Sequence, residues 1–160
     1  TLFCCERNKV NFFGMIFYKK SPRNININEA IKLQNISQKM KINGVGVFVN
    51  EGLENLKSLA LKINLKYVQL HGDEDRKYIE ELKNEKIKII KKISIYNKND
   101  LININKFDNA DFLLFDYKPK INELPGGNAK NFDWNILKNI TISKPWFWRN
   151  NYFKQTSYLL

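Results

Sequence analysis

Cysteine, arginine and histidine are scarce in this chain of 160 residues, and long apolar runs are absent. The two cysteines, Cys4 and Cys5, are adjacent, a spacing that serves neither a metal site nor a disulfide framework. No stretch of about 18 apolar residues occurs, which excludes a membrane-crossing helix. The first residues lack the basic segment and apolar run of a signal peptide. No Gly-rich dinucleotide fingerprint follows any apolar segment, and no linker, low-complexity tract or second domain interrupts the chain. The expectation is one cytoplasmic domain with a core drawn from a 43% hydrophobic composition and no membrane association.

Charge is abundant and one-sided. The net charge is +11, carried almost entirely by lysine, with arginine only at Arg7, Arg23, Arg76 and Arg149. A nucleic-acid surface would concentrate that charge on one face with interleaved aromatics. Here the lysines are spread along the chain, and asparagine and isoleucine are also abundant. Lys, Asn and Ile share A/T-rich codons, so codon bias accounts for the profile. No nucleic-acid partner is expected. A mild attraction for a phosphorylated, carboxylated small molecule is the residual consequence. Oligomeric state is left open.

Short apolar runs alternate with amphipathic, Lys-rich segments. The runs 12–18, 44–49, 67–71, 87–94, 110–115 and 145–148 are rich in Val, Ile, Phe and Tyr. Most lack polar alternation, as parallel strands covered on both faces do. Helices are expected over 28–41, 52–63, 74–84, 98–106 and 132–139. Leu53, Leu56, Leu59, Ala60 and Ile63 follow helical spacing closely, and Asn28 and Asp73 are the expected N-caps. The strands recur every 20 to 32 residues or so, about one βα unit each, which implies a parallel α/β sheet, either doubly wound or a barrel.

Four segments carry more. Leu113-Leu114-Phe115-Asp116 runs into Pro125-Gly126-Gly127 and then Phe132-Asp133-Trp134. Phe12-Phe13-Gly14-Met15-Ile16-Phe17-Tyr18 leads into Lys19-Lys20-Ser21-Pro22-Arg23. Gly44-Val45-Gly46-Val47-Phe48-Val49-Asn50 and Tyr67-Val68-Gln69-Leu70-His71-Gly72-Asp73-Glu74 lie between them. In that order they resemble the phosphoribosylanthranilate isomerase family of tryptophan synthesis, from about residue 3 to Phe147. The resemblance selects the barrel. It implies an incomplete TIM (β/α)8 barrel over residues 1–147, with about six parallel strands. A complete barrel has eight strands and usually at least 200 residues.

The implied reaction is an Amadori rearrangement of N-(5-phosphoribosyl)anthranilate. An acid protonates the furanose oxygen, the ring opens to a Schiff base, and a base removes the C2 proton. No metal and no other cofactor is needed. By position Asp116 matches the family's acid and Arg23 its anthranilate-facing arginine, whose guanidinium fork suits a planar carboxylate. Gly126 and Gly127 match a loop over the site, where glycine permits movement. Gln69 and His71 are expected as site wall or loop anchor. The bland alternatives are a turn-capping Asp, a solvated Arg and a structural His. Two other functions stay open: a different phosphosugar barrel enzyme and, less in keeping with dispersed Lys, a basic nucleic-acid-binding α/β module.

The resemblance departs at both ends. The family's base is a Cys on a first strand bearing a Lys-Ile-Cys-Gly-type motif, roughly twenty residues before Gly14. Cys4 and Cys5 lie only about ten residues before it and are expected to pack a helix. The base is therefore expected to be missing and the chain, as written, inactive. After Trp146-Phe147 the family continues into a Gly-Gly turn. The tail from Trp148 reads differently, but a one-base shift turns Trp-Arg-Asn-Asn-Tyr into a possible Gly-Gly-Ile-Thr-Ile. Residues 148–160 are therefore expected to be a non-native or disordered tail.

Overall fold

In the computed structural model, residues 11–102, 104–117, 134–137 and 142–148 are described. The chain divides into two units, Thr1–Ile90 and Lys91–Leu160. In the first, β1 (Phe12–Phe17), α1 (Ile27–Lys39), β2 (Asn43–Phe48), α2 (Leu53–Ile63), β3 (Tyr67–Leu70) and α3 (Arg76–Asn84) alternate, and β4 (Lys88–Ile95) begins. Strands β1, β2 and β3 pair in parallel, with Phe17 beside Phe48 and Phe48 beside Leu70. The Lys88 N–H donates to Lys66 O at 2.9 Å, so β4 follows β3.

Each helix ends the same way. The connections to the next strand are residues 40–42, 64–66 and 85–87, three residues each. Each holds one left-handed residue: Lys41 (φ 56°), Asn64 (φ 59°) and Lys86 (φ 58°). The residue after it is apolar and buried: Ile42, Leu65 and Ile87. In the first two turns the N–H of that residue reaches back to the helix, Ile42 to Ser37 O and Leu65 to Ala60 O, both at 2.9 Å. This is the helix-closing pattern in which a left-handed residue frees an apolar side chain to fold under the last turn.

Two of the three helix starts are capped by side chains; α2 starts at Gly52 without one. Asn26 accepts from Glu29 N at 3.0 Å and Asp75 from Tyr78 N at 2.8 Å, each satisfying one orphan N–H. Helix α2 buries Leu56, Ala60 and Ile63, and α3 buries Ile79 and Leu82. The α1 face is smaller and more polar: Ala30, Gln34 and Ser37. It is tolerated because Ser37 Oγ donates to Gln34 O at 2.8 Å and Gln34 Nε2 to Asn64 O at 2.9 Å.

Two glycines in β2 make this packing possible. A Cβ at Gly46 would lie 2.7 Å from both Leu65 and the Phe48 ring, and one at Gly44 would overlap Gln34. The space left by Gly46 lets Phe48, fully buried, stack on Phe17 at 5.0 Å with 12° between ring planes. Burying a ring of that size contributes on the order of 1.5–3 kcal/mol.

In the second unit the rest of β4 is followed by β5 (Phe112–Tyr117) and β6 (Trp146–Trp148), in chain order. Leu113 pairs in parallel with Trp146 and Leu114 with Phe147. The rings of Phe115 and Trp146 meet edge-on at 5.4 Å, and those of Phe112 and Phe147 lie tilted at 36° with centroids 5.5 Å apart. Lys91, only 2% exposed, holds its ammonium 5.3 Å above the Phe107 ring.

Several expectations are corrected. The 98–106 segment is not an α-helix but two 3-10 turns, Lys98–Leu101 and Ile104–Phe107. A box on Asn97 closes the first: Asn97 accepts from Asn99 N, and Asp100 accepts from Asn97 N. Leu101 and Ile104, three apart, are the buried pair, a spacing that suits three residues per turn. Within 132–139, residues Trp134–Leu137 form a 3-10 turn and the others lie outside the described residues. The N-caps are Asn26 and Asp75, not Asn28 and Asp73. Cys4, Cys5, Gly126, Gly127 and residues 149–160 lie outside the described residues. Among the described residues no helix is long and apolar enough to cross a membrane.

Candidate active site

The polar side chains singled out from the sequence fall at the C-terminal ends of strands, the end where βα loops carry chemistry. After β1 the chain makes a tight turn: Ser21 N donates to Tyr18 O at 2.8 Å, and Ser21 Oγ accepts from Arg23 N at 3.1 Å. The chain then rejoins β1 through a bridge between Ile16 and Asn24, with Ile25 N on Ile16 O at 2.9 Å. Arg23 is thus carried by a backbone fastened to the strand, and its side chain is exposed.

Gln69 is the third residue of β3, on the strand face opposite the buried Val68 and Leu70, and His71 follows the strand. Their side chains meet, Gln69 Nε2 to His71 Nδ1, at 2.8 Å. The His71 N–H donates to Phe48 O at 2.9 Å, continuing the β2–β3 ladder.

A cluster that sequence reasoning missed lies beside this pair. Glu74, 6% exposed, accepts from Asn50 N at 2.8 Å and from Gly72 N at 3.1 Å. Asn50, itself left-handed (φ 50°), accepts through Oδ1 from Asp73 N at 2.7 Å. Tyr78 O–H donates to Glu51 O at 2.9 Å. Burial, then the negative charges of Glu74 and Glu51, push the Tyr78 hydroxyl above the ordinary tyrosine range. The expected helix over 74–84 would open on Glu74, but the helix starts at Arg76 and leaves Glu74 in the loop. The available signal was a polar residue at the end of β2, Asn50, matched by a carboxylate just past the next strand.

In the second unit Asp116 is the fifth residue of β5, half-buried, on the face opposite the buried Leu113 and Phe115. Its carboxylate accepts from Tyr117 N at 3.0 Å. An acid here sits on a strand, a rigid mount for a site residue. Among the described residues no group of His, Cys, Asp and Glu could hold a metal ion.

Parallel βα repeats with polar groups at the strand ends define an α/β protein of the (β/α) barrel class. Residues 2–150 match the family model described as N-(5'phosphoribosyl)anthranilate (PRA) isomerase. The chain belongs to that family. The N-(5'-phosphoribosyl)anthranilate isomerase of Thermoanaerobacter pseudethanolicus is 39% identical over 137 residues, 86% of this chain and 64% of the relative. The crystal structure of phosphoribosyl anthranilate isomerase from Thermotoga maritima superposes with a TM-score of 0.69 at 31% identity, over 79% of this chain and 59% of that one. A second similar structure, 30% identical with a TM-score of 0.61 over 68% of this chain and 54% of the other, is a phosphoribosyl anthranilate isomerase. It is in complex with reduced 1-(o-carboxyphenylamino)-1-deoxyribulose 5-phosphate. The chain spans somewhat under two thirds of the length of these relatives.

Proposed function

We propose that this chain serves in a phosphoribosylanthranilate isomerase, the enzyme that converts N-(5-phosphoribosyl)anthranilate to 1-(2-carboxyphenylamino)-1-deoxyribulose 5-phosphate in cytoplasmic tryptophan synthesis. The observation that carries this is family membership over residues 2–150 together with a carboxylate, Asp116, at the C-terminal end of a parallel strand. Asp116 protonates the ring oxygen, so the C1–O bond breaks as the anthranilate nitrogen lends its lone pair and the Schiff base forms. A base then takes the C2 proton, and the enol that results collapses to the ketose. Arg23 pairs with the anthranilate carboxylate. Gln69 and His71 line the sugar side, and Gly126 and Gly127 cover the substrate. The solved relative bound to the reduced product supports a site for a phosphorylated small molecule.

The reading is tested by grafting residues 2–147 into the matching segment of the Thermoanaerobacter relative and asking whether the graft rescues a tryptophan auxotroph lacking the isomerase. Rescue is expected. Asp116→Asn should abolish it, lowering kcat by about 10²–10⁴-fold, the usual contribution of a positioned acid. Arg23→Ala should act mainly on KM, about 10- to 150-fold for a lost bond to a charged group of roughly 1.5–3 kcal/mol. A folded graft with no turnover, or an Asp116→Asn graft with full turnover, overturns the assignment.

We propose further that residues 148–160 are read out of frame. Sequencing the gene across the Trp148 codon tests this, and a family-like Gly-Gly turn in the shifted frame is the expected result.

A further inference from the structure

We propose that Glu74 is a positioning residue: it ties the β2–α2 loop to the β3–α3 loop and so holds the Gln69–His71 pair with the imidazole as its neutral Nε2–H tautomer. The purpose of this arrangement, a ring of fixed orientation beside the substrate, rests on the isomerase reading. The tautomer itself rests on geometry alone.

The two loops are bonded to each other in both directions. The carboxylate of Glu74, in the second loop, accepts from Asn50 N in the first at 2.8 Å. The Asn50 side chain returns the contact, accepting from Asp73 N at 2.7 Å. Glu74 also accepts from Gly72 N, at 3.1 Å through one oxygen and 3.3 Å through the other. It thereby clamps the residue adjoining His71. These are bonds to an ionised acceptor with 6% exposure, where charge-assisted contacts are at their strongest. The approach requires glycine at position 72. A Cβ there would overlap Asn50 Oδ1 and lie 2.7 Å from Asn50 N.

The His71 backbone is thus held on one side by Phe48 O and on the other by the clamped Gly72. Its ring then meets Gln69 Nε2 at 2.8 Å through Nδ1. An amide nitrogen can only donate, so Nδ1 must accept. The ring proton of the neutral imidazole is then on Nε2. Without the clamp the loop is free to turn the ring, and nothing at Gln69 alone would prevent the other tautomer from pairing with the amide oxygen.

His71 is the chain's single histidine, so its ring can be observed without assignment. Two-dimensional proton–nitrogen NMR of the full nitrogen-labelled chain, at about pH 8.5 where an ordinary imidazole is neutral, reads the tautomer directly. The wild-type ring should give the pure Nε2–H pattern. Glu74→Ala should lose it, giving averaged nitrogen shifts from mixed tautomers. Glu74→Gln keeps an acceptor oxygen for Asn50 and Gly72 and should restore it. Asn50→Gly suits the left-handed backbone, removes only the return bond, and should give a partial loss. If Glu74→Ala does not fold, Asn50→Gly decides by the same criterion. An Nδ1–H pattern in the wild type, or an unchanged pattern in the deciding variant, overturns the proposal. A dead graft with this tautomer response intact would remove the isomerase reading alone. An active graft with no tautomer response would remove only the role of Glu74.

Discussion

The two ends of the strands in the first unit are built on different principles. At the end where helices feed strands, three connections share one length, one left-handed residue and one buried apolar follower. Their orphan carbonyls are met by N–H groups of the same turn, as when Leu65 N reaches Ala60 O. At the other end the connections 18–26, 49–52 and 71–75 differ in length. The last two are held by side chains acting across loops, Asn50 with Asp73 and Glu74 with Asn50. One end is a local solution repeated; the other is a set of distant agreements. Substitutions at the first should change stability and leave chemistry alone. Substitutions at the second should do more to the site than to the fold.

The largest break of that contrast is Leu65→Ala, which empties a 6%-exposed site under the α2 turn. It should cost about 2–5 kcal/mol in denaturant unfolding while leaving the His71 ring pattern as in the wild type. Tyr78→Phe removes the bond to Glu51 O in the loop end and should cost about 1 kcal/mol near neutrality. It also carries a pH signature. The Tyr78 hydroxyl titrates higher in the folded chain than in the unfolded one, so the folded state keeps its proton longer. That stabilisation is fully present below the ordinary tyrosine pKa of about 10 and is lost as pH rises beyond it. Stability measured across alkaline pH should fall more gently in Tyr78→Phe, and an identical slope would contradict the contact. The smallest effect is a gain. Lys86 adopts φ 58° with a side chain that disfavours it, so Lys86→Gly should raise stability by about 0.5–1 kcal/mol. A loss there would show that the repeated turn is not governed by its left-handed residue.

The same contrast explains what could be read from the sequence. Strand positions came within one or two residues, because a covered parallel strand writes itself as an apolar run. Helix starts were harder. Asn24, Asn26 and Asn28 alternate along one stretch, and Asp73 and Asp75 along another, so each offers several equivalent caps. The choice of Asp75 goes with the use of Glu74 by a loop more than twenty residues away, and no local pattern contains that. The 98–106 segment is rich in Asn, Asp and Ile, weak helix formers, its buried pair is three apart, and its opening is closed by Asn97 and Asp100. Asp116 and Arg23 stand out in the sequence only through the family resemblance, since a lone strand-end Asp or loop Arg reads as a turn cap or a solvated charge. Asn50 and Glu74 do not, because each alone is an ordinary polar loop residue.

The repeated turns also mark where this gene can be cut and rejoined. A crossover at 40–42, 64–66 or 85–87 separates a finished βα unit from the next. The bonds made across 64–66 by Gln34 and Lys88 end on backbone carbonyls that any inherited residue supplies. A crossover anywhere between Asn50 and Glu74, at 64–66 as much as within the two loops, would instead part Asn50 from Glu74 and leave each parent with half of a lock. Libraries shuffled among members of the family at 40–42 or 85–87 should keep their folded members, while junctions between residues 50 and 74 would demand that both halves of the lock descend from one ancestor.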